Sequence, residues 1–187
     1  MIPCYVSGKG KDATARTRNF KQTVIRTLQR SGLGYDTKFR FYQAQFPDLA
    51  PDRLIEMVCD PSEYYDKEWK SYLESHKDRA DEEEILARFI SERDALFRSE
   101  AAVAIYCYDE AGLGSGINSM RFIHEGKRIL GFYNPEVKKF GVNLTNIIQL
   151  KIDYPRLVTL VPYTELGGVV KAVESWLRGL DQSGQKG

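Results

Sequence analysis

The sequence predicts a single α/β domain built on one parallel sheet of about five strands, and three observations predict it. Short apolar runs at residues 2–6, 101–106, 129–132 and 157–161 alternate with longer stretches of helical periodicity. The run AAVAIY at residues 101–106 is apolar without interruption, as in a strand that helices cover on both faces. The chain has 187 residues, 42% of them hydrophobic and 28% charged, enough to bury one core and too apolar for disorder.

Residues 2–6 read as the first strand, and Ser7-Gly8-Lys9-Gly10 after it as a turn that exposes backbone N–H groups. That turn reads either as a phosphate contact or as a solvated loop, because it lacks the spacing and the Lys-Ser/Thr ending of a Walker loop. Over residues 13–30, Phe20, Val24 and Leu28 recur every four positions and mark an amphipathic helix closed by Gly32 and Gly34. Residues 35–43 carry aromatics at alternating positions, Phe39 and Phe41 on one side, and read as a second strand. Residues 44–80 form a helical, aromatic insertion over the strand ends, broken by Pro47, Pro51 and Pro61, with helices near 51–57 and 63–76. Its Tyr64, Tyr65, Trp69 and Tyr72 either stack on a planar ligand or pack as core, the last three being at helical spacing.

Residues 81–97 form the clearest helix. Asp81, Glu82, Glu83 and Glu84 suit the positive end of its dipole, and Ile85, Phe89, Leu96 and Phe97 build an apolar face. The strand at 101–106 follows and is expected at the centre of the sheet. An acidic, glycine-rich turn then spans 109–116, with a helix starting near Ser115 or Gly116 and Ser115 as its cap. Residues 129–132 are the next strand, and 135–154 receive no assignment. A last strand at 157–161 leads to a helix at 164–180 that turns Leu166, Val169, Val173, Trp176, Leu177 and Leu180 inward. The domain is expected to cover residues 1–181, with a disordered tail at 182–187. The whole is a Rossmann-like arrangement.

The balance of 27 basic and 26 acidic side chains gives a net charge of +1, so no global field draws the chain to nucleic acid or to an anionic membrane. Cys4, Cys59 and Cys107 have no metal-ligand spacing, and an odd number argues against a disulfide framework. The N-terminus has no apolar run of a signal peptide, and no stretch approaches the roughly 18 apolar residues of a membrane span. A cytoplasmic location, no membrane association and no cofactor or metal are therefore expected. The formal glycosylation triplet Asn143-Leu144-Thr145 has no meaning in such a compartment.

The turn at 109–116 is the best place for a site, since ligands of open parallel sheets bind at strand carboxyl ends and helix N-termini hold anions. Gly112, Gly114 and Gly116 would let a ligand approach the backbone, although a GxGxG turn also serves as plain loop chemistry. Here the chain resembles the nucleoside 2-deoxyribosyltransferase-like proteins, which include nucleotide N-glycosidases. The resemblance rests on Arg93-Asp94 in the helix before the central strand, Gly114-Ser115-Gly116-Ile117-Asn118 after it, and Gly126-Lys127 before Ile129-Leu130-Gly131. Tyr5-Val6-Ser7-Gly8 resembles the family's first strand and loop. The resemblance implies a nucleoside or nucleotide ligand, N-glycosidic cleavage or transfer, and a homo-oligomer; the residues read as holding that ligand are Ser7, Gly8, Gly10, Gly114, Ser115, Gly116, Asn118 and Arg121.

Asn118 takes the position of the family's nucleophilic Glu, and a neutral amide cannot attack an anomeric carbon usefully, though it can hydrogen-bond a ribose hydroxyl. Three readings follow. Asp109 or Glu110 supplies the missing carboxylate as a catalytic group, or both are simple turn residues. The cleft binds a nucleotide without chemistry, as a sensor. Or the protein acts through its surface as an interaction protein. Arg121, three residues after Asn118, reads as a phosphate contact or a surface ion pair. His124 lies about 120° around the helix from Asn118 and reads as a surface residue.

Overall fold

The computed structural model describes residues 1–10, 12–76, 81–137 and 142–184, without the side chains of residues 62–65, 94, 142–143 and 181–184. Chain order is β1 (Ile2–Ser7), α1 (Ala15–Ser31), β2 (Gly34–Asp36), α2 (Thr37–Gln45), α3 (Pro51–Cys59), α4 (Ser62–His76), α5 (Glu82–Glu100), β3 (Val103–Cys107), α6 (Leu113–His124), β4 (Arg128–Tyr133), α7 (Val142–Asp153), β5 (Val158–Pro162) and α8 (Leu166–Gly184). The five strands form one all-parallel sheet in the order β2-β1-β3-β4-β5, the expected α/β architecture with β3 at its centre. Every residue of β3 is buried, which explains its unbroken apolar sequence.

The two faces of the sheet can be told apart by their rings. On one, Phe20 of α1 meets Phe132 of β4 at 5.3 Å and Tyr163 at 5.6 Å between centroids. On the other, Phe122 of α6 meets Tyr5 of β1 at 5.3 Å, and Tyr106 stacks on Tyr108 at 5.4 Å. The Tyr108 ring lies over Gly131 of β4, where a Cβ would come within 2.5 Å of its Cε2 and 2.7 Å of Leu160 Cδ2. Tyr108 also shares a 2.9 Å hydrogen bond with Ser119 of α6. The absence of a side chain at Gly131 therefore lets the residue after β3 tie α6 to the sheet.

Several expectations are corrected. Residues 37–45 are helix α2, and the second strand is only the three residues Gly34–Asp36. The reason is local: Asp36 caps the helix by accepting a hydrogen bond from the Phe39 backbone N–H at 2.8 Å, and Phe39 and Tyr42, three apart, share the buried face. Leu96, expected inward on α5, is 48% exposed, while Ile85, Phe89 and Phe97 are buried. Residues 142–153, left unassigned, are α7. Helix α8 runs to Gly184, past the expected start of the tail, and residues 185–187 lie outside the described residues, as does the Asn143 side chain. Asp81, expected as a charge at the positive end of the dipole, also caps α5, accepting from the Glu84 N–H at 2.9 Å, and Gly32 ends α1 with a φ of 65°. Among the described residues no helix is long and apolar enough to cross a membrane.

Gly131→Ala is expected to destabilise the fold by about 1–3 kcal/mol through overpacking against Tyr108 and Leu160. Gly179→Ala on α8, where a Cβ meets nothing within 4 Å, should be neutral or slightly stabilising. Urea denaturation of the two variants beside the parent protein measures the contrast.

Candidate functional site

In the order β2-β1-β3-β4-β5 the chain winds outward in opposite directions on either side of the β1/β3 pair. The crevice at the carboxyl ends of those two strands is thus the topological switch point, where open α/β sheets bind ligands. A cleft of about 550 Å3 lies there, a size typical of small-molecule sites. Its floor and one wall are Ser7, Gly8, Lys9 and Gly10 after β1; the opposite wall is Glu110, Gly112, Gly114, Ser115 and Asn118. The third side is aromatic and cationic, formed by Tyr5, Lys38, Tyr42, Arg93 and Phe97, with Val58 and Pro61 from the insertion.

The expected ligand-binding residues divide. Ser7, Gly8, Gly10, Gly114, Ser115 and Asn118 come together around this cleft. Gly116 and Arg121 do not: they line a separate, more apolar groove between α6 and α7 with Leu113, Ile117, Met120 and Ile147. Helix α6 begins at Leu113 with Gly112 as its cap position and no side-chain cap, so Ser115 lies within the first turn. Asn118 lines the cleft and Arg121, about 60° farther around α6, lines the groove. Gly8 has a packing reason of its own, since a Cβ there would press on Thr17 Cγ2 at 3.2 Å and Cys107 at 3.3 Å. His124 is exposed, and the Asp94 side chain lies outside the described residues.

The adjacent carboxylates Asp109 and Glu110 have different jobs. Asp109 is 4% exposed and does not line the cleft. Its Oδ1 accepts the Asn134 backbone N–H at 2.7 Å and its Oδ2 the Tyr163 hydroxyl at 2.5 Å, so it ties the ends of β3, β4 and β5. Burial and this carboxylate push the Tyr163 phenol far above its usual range, which keeps it a donor. Each oxygen of Asp109, expected as a catalytic carboxylate, thereby has a partner outside the cleft. Glu110 does line the cleft. Its Oε2 accepts from the Thr14 N–H at 3.0 Å, the Thr14 hydroxyl at 2.7 Å and the Thr17 hydroxyl at 2.5 Å, while Lys9 Nζ stands 3.9 Å from Oε1. Burial raises its carboxyl pKa, but the donors on Thr17 and Thr14 together with Lys9 outweigh it and hold the group below its ordinary value.

Lysines supply what the sequence reading missed. Lys21 on α1 is 3% exposed and donates to the Lys9 carbonyl at 2.9 Å. Burial, and then the Lys38 ammonium, lower its pKa to about 8. Lys38 on α2 donates to the Val6 carbonyl and lies 4.6 Å above the Tyr5 ring. Arg93 is held by Glu68 of α4 at 3.0 Å and by the Tyr42 hydroxyl at 3.1 Å, so the insertion fixes a cation at the cleft. The insertion's described aromatics pack instead of facing the cleft: Trp69 and Tyr72 lie 5.6 and 5.2 Å from Phe89, and Tyr72 stacks on His76. The side chains of Tyr64 and Tyr65 are outside the described residues.

The three cysteines are buried and unbridged. Burial, with Asp36 near Cys4, pushes the Cys4 and Cys59 thiols up to about 12; burial and Asp109 push Cys107 up to about 11. All three are protonated at neutral pH and are poor nucleophiles. Among the described residues no group of three or more His, Cys, Asp and Glu side chains converges as a metal-ligand set.

Asp109→Ala is expected to cost about 2–5 kcal/mol, because it strands a buried N–H and a buried hydroxyl; the urea midpoint reads this directly. Glu110 has a depressed folded pKa, so its contribution to stability is present above about pH 4.3, its unfolded value, and disappears as pH falls through the folded value. The stability gap between the parent protein and Glu110→Ala should therefore be constant from pH 5 to 7 and narrow in more acidic solution, as denaturant titrations at each pH will report.

The chain matches no family model and no curated protein sequence.

Proposed function

We propose that the chain binds a nucleotide in the β1/β3 cleft, its phosphate toward the Lys9, Lys21 and Lys38 amines and its sugar toward Ser115 and Asn118. The observation that carries this reading is the charge of the lining. Lys9, Lys21, Lys38 and Arg93 converge there, and Glu110 is the single carboxylate among the described lining residues. Arg93 is paired with Glu68 and Lys38 faces the buried Asp36 carboxyl, and the described lining itself carries four cations and one carboxylate beside two glycine-containing turns. Such a lining favours an anion, and the backbone N–H groups at the uncapped start of α6 add to it. The resemblance to nucleoside 2-deoxyribosyltransferase-like proteins supplies the sugar and base. Tyr5, Tyr42 and Phe97 offer the apolar side on which a base would lie.

N-glycosidic cleavage is the second reading, and the position of Glu110 in the same lining as Asn118 favours it. Its chemistry would be weak. A carboxylate with three donors on one oxygen and a depressed pKa is a poor nucleophile and a poor proton acceptor. It would act mainly by stabilising positive charge developing on a ribosyl centre, with water attacking. Binding therefore comes first.

A nucleoside 5′-monophosphate at a hundred times its Kd should stabilise the protein by about 2.7 kcal/mol, and the matching nucleoside should stabilise it far less. Lys9→Ala removes a half-exposed cation and is expected to weaken the monophosphate about three- to tenfold with little change in melting temperature. Calorimetric titration checks both; equal affinity for nucleoside and monophosphate, or none for either, contradicts the reading. Chromatography for free base, with Glu110→Gln as the control, decides the second reading without the folding loss that any Asp109 variant carries.

A further inference from the structure

Lys21 is a buried lysine on the apolar face of α1. It occupies the inward face of α1 with Thr17, Phe20, Val24, Ile25 and Leu28, all buried, at a position where the helix otherwise buries apolar side chains. Its amine donates to a backbone carbonyl, that of Lys9, and not to a carboxylate. The groups around it do not compensate its charge well. Lys38 on α2 is a second cation, and Cys59 at the end of α3 and Cys107 on β3 are protonated thiols; Asp60, paired with Arg18 at 3.0 Å, raises the Lys21 pKa but is outweighed by burial and Lys38. Desolvation and an adjacent cation are the two devices by which proteins turn a lysine into a neutral nucleophile. With a pKa of about 8, about a tenth of the Lys21 amine is neutral at pH 7, against less than about one in a thousand for an exposed lysine. Yet the side chain is not sealed off, for it lines the cleft beside Gly8, Lys9 and Lys38.

We propose that Lys21 is a carbonyl-reactive lysine that forms an imine with a small phosphorylated aldehyde held in the β1/β3 cleft. The inference rests on reading that cleft as a phosphate site. The neutral amine attacks the carbonyl carbon, forming the N–C bond, and the carbonyl oxygen takes up a proton released by the nitrogen. The resulting carbinolamine loses that hydroxyl and the remaining nitrogen proton as water. One amine and one aldehyde thus give one imine and one water, with no oxidation or reduction. Lys9 and Lys38 hold the phosphate, and the cleft volume of about 550 Å3 suits a five- or six-membered skeleton with one phosphate. An aldehyde of this class is the open-chain form of the pentose phosphate that cleavage of a nucleotide's glycosidic bond would release.

The test uses the full chain and pyridoxal 5′-phosphate as an anionic aldehyde probe, with borohydride to fix the imine and peptide mass spectrometry to place it. The expected result is reduced adduct on Lys21 at least tenfold above that on the exposed Lys151 and Lys171, a rate that rises around pH 8, and a marked drop when unphosphorylated pyridoxal replaces the probe. Lys21→Arg should lose the adduct; if that variant does not fold, the ratio of adducts in the unaltered protein still decides. Labelling spread evenly over exposed lysines, or calorimetric binding of a nucleoside monophosphate without adduct on Lys21, overturns the inference and leaves nucleotide binding standing. Adduct on Lys21 that inorganic phosphate suppresses but no nucleoside monophosphate does keeps the reactive lysine and removes the nucleotide.

Discussion

The carboxyl end of the sheet depends on how the backbone of Val6 is satisfied. Pairing between β1 and β2 ends at Cys4 and Asp36, so Val6 has no strand neighbour on that side. The Asp36 side chain takes the place of one, accepting the Val6 N–H at 2.9 Å, and the Lys38 ammonium donates to the Val6 carbonyl. The same carboxylate caps α2 through Phe39. One buried side chain therefore ends a strand and begins a helix. Burial pushes the Asp36 carboxyl up, against the opposing pull of Lys38 and the backbone donors, so Lys38 is required as much for the turn as for the cleft. Because β2 stops after three residues, the Ser7–Gly10 turn opens into a cleft and Lys38 stands at its edge.

The turn after β3 is pinned from two sides. Asp109 reaches to Asn134 and Tyr163 at the ends of β4 and β5, and Glu110 reaches to the first turn of α1. The two adjacent carboxylates thus fix the start of α6 relative to both halves of the sheet. A site on such a support holds its geometry without the ligand, and ordering costs on binding are small. It also places α6 as a partition, with the polar cleft on one flank and the apolar groove against α7 on the other.

What the sequence disclosed follows from how local each signal was. The apolar run of β3, the acidic start of α5 and the apolar stripe of α8 are written in neighbouring residues, and each is found within about two residues of where the sequence puts it. Residues 37–45 misled because alternating aromatics also fit a helix that buries Phe39 and Tyr42; the Asp36-x-x-Phe39 capping pattern was the signal that distinguishes the two. The start of α6 gave no such signal, since Gly112 has no side chain to cap with. Asp109 and Glu110 are equivalent as letters, and only contacts 25 and 96 residues away separate the buried anchor from the cleft-lining carboxylate. Lys21 carries no signal in the sequence, standing beside Gln22 and Arg18 among the polar residues of α1. Its burial becomes visible only in the fold, where its amine reaches the Lys9 carbonyl.

On the proposed function, an anionic sugar ligand occupies the switch-point cleft and not the α6/α7 groove. A titration of 15N-labelled protein with a nucleoside 5′-monophosphate, followed by two-dimensional amide NMR, tests it most directly. Binding in the cleft should give saturable shifts of the Gly8, Gly10, Gly114 and Asn118 amides, while Met120, Ile147 and Leu150 stay in place. Shifts confined to the α6/α7 groove, or none at millimolar ligand, would contradict it.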